Sequence, residues 1–264
     1  MDKMNGELNF NNIQKWIIFS LLFVFVTGAF IYGIINSNNQ TFKIFGIILF
    51  ILFILGIITS ILYINKIKVE KINIKSFDLL FVLIGTVATY ELTVFLSVSN
   101  VLASALIGVI GYLITKKYAM AIYAGSFSGM VSQVLFNHYE LILLGLITGV
   151  IYILIKTVCY GFGGRLGSIA FISNLITAII LGYTINLPVG DISFIYVIIF
   201  SVVGVVSAYL LHNKFNQSPV LASALPSLFV AFVIDYFMPS MGVYSLVFFA
   251  ASFVGMSEKK IIPN

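Results

Sequence analysis

Long apolar runs separated by short polar breaks fill most of the chain, and their lengths predict membrane-crossing helices rather than half-buried strands. A hydrocarbon core of roughly 30 Å needs about 17–20 apolar residues per crossing. Ten such windows fit, near 15–36, 42–64, 77–97, 99–115, 118–136, 139–158, 166–186, 192–211, 219–238 and 240–257. The stretch 77–115 is nearly continuous, marked only by Ser97, Ser99 and Asn100. It is too long for one helix and just long enough for two with a tight turn. The expected fold class is therefore all-α: a polytopic membrane protein of about ten transmembrane helices, with the lipid bilayer as its first partner.

Within that pattern two motifs recur in one order. Val101-Leu102-Ala103-Ser104-Ala105-Leu106 returns letter for letter as Val220-Leu221-Ala222-Ser223-Ala224-Leu225. Gly125-Ser126-Phe127-Ser128-Gly129-Met130 is echoed by Ala251-Ser252-Phe253-Val254-Gly255-Met256. The offsets, 119 and 126 residues, are each a little under half of the 264-residue chain. The sequence thus reads as a duplication, with a first five-helix repeat over 1–138 and a second over 139–264. An odd number of spans per copy sends the second copy into the bilayer upside down, so the two repeats are expected to be inverted.

Charge supports the count. Loops that gather Lys and Arg face the cytoplasm. With the amino terminus inside, thirteen of the basic residues fall in inner segments and Lys43 alone falls outside. Both termini are then cytoplasmic, in a multi-pass protein of the cell membrane, and the abundance of Ile, Asn and Lys points to a bacterial inner membrane. Lys43 and Arg165 each open the second span of their repeat. Only 9% of residues are charged and 61% are hydrophobic, against roughly a quarter charged in soluble domains. That leaves no room for a separate aqueous domain. The net charge of +5 comes without a basic run interleaved with aromatics, so no nucleic-acid partner is expected. A single cysteine, Cys159, excludes an internal disulfide. Trp16 to Ile35 is too long for the apolar core of a secretory leader.

Several residues stand out as candidate chemistry. Ser99-Asn100 and Ser218-Pro219 are helix-start signals before each copy of the first motif. Two helix amino termini approaching from opposite faces would present N–H groups to an anion or carbonyl dipole, with Asn100, Ser104 and Ser223 nearby. The same Ala and Ser residues also suit close helix packing. Gly125, Ser126, Ser128 and Gly129, matched by Ser252 and Gly255, suggest interrupted helices at corresponding places in both halves, a pointer to a substrate site. Their other use is a close helix crossing. Glu91 is the acid expected deepest in a span, fit for proton or cation coupling. Asn174 falls near the middle of its span, where it would line a path or bond another helix. Asp235, with Asp191, His138 and Glu140, marks the outer mouth or a solvated rim. Gly161–Ser168 lacks the Gly-Lys-Ser/Thr ending of a phosphate loop and reads as an inner turn.

The function expected is a membrane transporter or channel for a small solute or ion. Its path would run between the inverted repeats, with proton or cation coupling through Glu91. No enzymatic activity, cofactor or metal is expected, and self-association into a homo-oligomer is left open. One alternative is a membrane-embedded enzyme acting on a lipid-linked phosphate. The run Glu91 to Ser99 resembles the glutamate motif of polytopic undecaprenyl-diphosphate phosphatases over nine residues. It departs from that motif at Val94, where a second glutamate belongs, and the chain has no Ser-Arg-Ser-Gly segment. A non-transporting membrane subunit is the other alternative. Drug/metabolite exporters share the expected ten-span inverted layout, as architecture only.

Overall fold

In a computed structural model of the chain, the described residues are 76–131, 135–156, 163–183 and 192–257, with scattered positions between Ser20 and Ile58. No strand occurs among them, so the fold is all-helical as expected. The chain divides into two compact units, Met1–Ile72 and Asn73–Asn264. In the first unit the described residues are helical, and Gly46 is buried facing the Ile34 side chain. Much of the expected spans 15–36 and 42–64, together with Cys159 and Asp191, lies outside the described residues.

The second unit holds eight α-helices among its described residues: α1 (Ser76–Leu96), α2 (Asn100–Ile114), α3 (Ala119–Ser128), α4 (His138–Ile155), α5 (Arg165–Ile180), α6 (Phe194–Tyr209), α7 (Pro219–Phe237) and α8 (Gly242–Gly255). A π-helical turn, Leu210–Lys214, extends α6, and a 3-10 turn, Pro239–Met241, leads into α8. The expected split of 77–115 is present. α1 stops at Leu96, Ser97 takes a left-handed φ of 51°, and the Ser99 hydroxyl accepts from the Leu102 N–H at 3.2 Å to start α2. Ser218 caps α7 in the same way, accepting from Leu221 N–H at 3.2 Å, with Pro219 in the first turn where its missing N–H costs nothing. A reciprocal capping box, Asn137 with Glu140, opens α4.

Among the described residues four helices are long and apolar enough to cross a membrane: Phe77–Leu96, His138–Ile155, Phe194–Lys214 and Pro219–Phe237. The others are shorter than expected, α3 most of all. At ten residues it extends only about 15 Å, and the window 118–136 is not one continuous helix. Its last residue is Ser128; Gly129 follows as the cap, its N–H on the Gly125 carbonyl, and the Met130 carbonyl is taken by Asn100 Nδ2 at 2.8 Å. Each helix here leans on neighbours distant in sequence. α1 packs on α3 and α4, α6 on α8, and α2 on α7. Tyr90, Phe136, Leu141, Leu144 and Ala178 form one apolar cluster where α1, α4 and α5 meet.

Candidate functional site

α2 and α7, the helices that carry Val-Leu-Ala-Ser-Ala-Leu, pack directly against each other, so the two motifs meet at one seam. Behind each lies a serine pair. Ser104 Oγ stands 2.9 Å from Ser126 Oγ, and Ser223 Oγ stands 2.6 Å from Ser252 Oγ. Ser126 donates to the Tyr123 carbonyl at 2.8 Å and Ser252 to the Phe249 carbonyl at 2.7 Å. All four serines are fully buried. Each hydroxyl has one proton, so these donations fix the rest: Ser104 donates to Ser126, and Ser223 donates to Ser252. Tyr123 OH, 3.0 Å from Ser223 Oγ, must then be the donor. A directed chain, Tyr123 to Ser223 to Ser252 to the Phe249 carbonyl, crosses the seam.

Backbone contacts recur with the same spacing. A side chain at Gly85 would strike the Ile122 carbonyl, and one at Gly204 the Phe248 carbonyl. A side chain at Gly129 would strike the Thr86 carbonyl, and one at Gly255 the Val205 carbonyl. The left-handed Ser97 has its counterpart in Asn216, at φ 52°. Thus α1–α3 and α6–α8 share caps, turns, serine pairs and close approaches, position by position.

The sequence-derived candidates divide into three groups. Ser104, Gly125, Ser126, Ser128, Gly129, Ser223, Ser252 and Gly255 serve the helix crossings. Ser128 accepts from Thr148 at 3.0 Å, Gly125 abuts the Val82 carbonyl, and Asn100 holds the end of α3. Glu91 belongs to a second group and is not the most enclosed acid. It stands near the end of α1 with its carboxylate 2.6 Å from His138 Nδ1, and its side chain is 45% exposed. Tyr90 beside it donates to the Phe136 carbonyl, and Glu140 accepts from Tyr183 at 2.7 Å. Asp235, near the end of α7, keeps Oδ2 buried without a partner.

Asn174 lines a cavity of about 320 Å³ between α3, α5 and α8. Phe127 and Met130 come from α3, Ala170 and Phe171 from α5, and Leu246, Phe249, Ala250 and Phe253 from α8. The rings of Phe127, Phe249 and Phe253 pack mutually, with centroids 4.4–5.2 Å apart. Asn174 Nδ2 donates to the Ala170 carbonyl at 2.9 Å. That bond orients the amide, since only the nitrogen donates, and Oδ1 is left buried without a partner. Comparison with known protein families, curated proteins and solved structures finds no match.

Sequence reasoning passed over Phe127 and Phe253, although both are the Phe of the repeated Ser-Phe-x-Gly-Met motif. Twenty-five phenylalanines in apolar runs hid the two that matter here. It also took Lys156 and Arg165 as loop charges that set topology. Lys156 also pairs with the buried Asp78, and Arg165, itself buried at the start of α5, donates to the Lys156 carbonyl at 2.8 Å. Asp78 begins α1 and Glu91 lies 13 residues further on, about 20 Å along the helix, so charge collects at two ends with apolar wall between. Among the described residues no group of three or more metal-ligating side chains is found.

Proposed function

We propose that this chain is a bilayer-spanning transporter or channel for a small solute or ion, built from two inverted repeats, with its path along the seam between them. The observation that carries this reading is the open pocket between α3, α5 and α8, walled by Phe127 of α3 and by its positional counterpart Phe253 of α8. A pathway between repeats draws on both copies at matching sites, as this cavity does. Three further features support it. α6 leaves Ile195, Ile198, Ile199, Val202, Val203 and Val206 exposed, an apolar surface suited to lipid. The short α3 and α8 end within one residue of corresponding positions, Ser128 and Gly255, in the manner of the interrupted helices of carriers. Two helices, α4 and α5, separate the two three-helix modules, so α6 runs opposite to α1 if successive helices alternate.

Glu91 with His138 is the pair we assign to proton or cation coupling, at the outer rim. Flux of ions, amino acids, sugars and organic anions into vesicles holding the purified protein tests the function. A transported solute is expected to lose most of its flux in Ala250→Phe, which fills the cavity, and its pH dependence in Glu91→Gln. Undiminished flux in Ala250→Phe would remove the path from this seam. Reporter fusions at 137–140 and 212–217 are expected on opposite faces; a common face would overturn the inversion.

A further inference from the structure

We infer that the turn before α5 and the end of α8 form a gate: Gly163 and Ser257 close the groove between α3, α5 and α8 at one end, and part to open it there. This rests on the path proposed above and adds how that path is shut. The groove runs from Gly167 to Asn174 on α5 and from Leu246 to Phe253 on α8, about 10 Å of each helix. Along it Phe171 and Leu246 are 43% and 47% exposed, so its outer length is open. At the other end, next to Arg165, the two walls touch. A Cβ at Gly163 would lie 1.8 Å from the Phe253 carbonyl oxygen, so only glycine lets this turn meet the last turn of α8. The Phe253 ring covers Gly167, 3.1 Å from where a Cβ would stand. The Gly163 N–H donates to Ser257 Oγ at 3.1 Å, and the Ser257 carbonyl accepts from Asn213 Nδ2 at 3.2 Å, which ties in the end of α6. The crossings at Gly85, Gly125 and Gly204 join helix bodies, whereas Gly163 and Ser257 belong to turns. Turns separate at lower cost than packed helices, and water replaces a hydroxyl bond with little loss. The repeat points the same way. Val131, the positional counterpart of Ser257, has no hydroxyl and lines the open part of the groove.

Sided thiol labelling tests this. Cys159 is the only cysteine, so Cys159→Ser gives a blank background. Ala250→Cys, exposed on the groove wall, is the reporter. A membrane-impermeant maleimide is applied to either face of the protein, inserted in one orientation in sealed vesicles. The reporter is expected to react from the face opposite Arg165 and scarcely from the Arg165 face. Ser257→Ala removes the gating bond and is expected to speed reaction from the Arg165 face by about fivefold, the weight of one hydrogen bond. Gly163→Val, whose side chain meets the Phe253 carbonyl, should speed it further. Gly164→Ala, with nothing within 4 Å, should leave it unchanged. Ser257→Ala carries the test should Gly163→Val fail to fold. Reaction of the parent reporter equally from both faces, from neither, or chiefly from the Arg165 face would overturn the inference, as would an unchanged rate in Ser257→Ala. A gate that responds in a protein moving no solute would stand while transport falls. Flux through a parent whose reporter reacts equally from both faces would keep transport and remove the gate.

Discussion

Ser97 and Asn216 hold left-handed backbone at the same point of two turns, a conformation that costs a residue with a Cβ about 1–2 kcal/mol. Ser97→Gly or Asn216→Gly is therefore expected to stabilise the fold by about 0.5–1 kcal/mol, after the greater freedom of glycine in the unfolded chain is subtracted. Denaturation in detergent measures it. At Gly129 the expectation reverses. Gly129→Val drives a side chain into the Thr86 carbonyl and should cost about 1–3 kcal/mol or more. Gly164→Ala, where nothing lies within 4 Å, should stay within about 0.5 kcal/mol of the parent. The capping serines were legible in the sequence because a cap is a local event. Which serine meets which was not, since Ser104 and Ser126 come together only when α2 and α3 pack.

Among the elements, α1 and α4 are bound at one end by Asp78 with Lys156, both largely withdrawn from solvent. Lys156→Leu strands the buried Asp78 carboxylate and should destabilise by about 3–5 kcal/mol, with Asp78→Leu as the partner replacement. The double replacement is expected to recover most of that loss, which a double-mutant cycle by chemical denaturation reads directly. Hydropathy did locate the α1/α2 turn, where three polar residues interrupt an apolar run. It overestimated α3, because Gly and Ser barely disturb an apolar average and so leave the end at Ser128 unmarked. It also gave Lys156 to topology, since sequence alone does not bring residue 156 to residue 78.

Across the molecule, the recurrence visible in two short motifs extends to turns, caps, glycine contacts and hydroxyl pairs from α1–α3 to α6–α8. Sequence comparison within the chain found only the parts where identical letters survived. The rest is kept by geometry with different side chains, as with Thr86 and Val205, which offer only a carbonyl to the opposing glycine. The agreement fails at several hydroxyls, and one of these crosses the seam: Tyr123 reaches Ser223 through its hydroxyl, and the matching Phe249 has none to offer Ser104. Were the two halves to trade shapes, as in the carrier proposed above, that phenol would make the two resting forms unequal. One buried hydrogen bond is worth about 1 kcal/mol, a bias of roughly fivefold toward the form that keeps it. Tyr123→Phe should level the two, and labels read from either side of the bilayer would register the shift.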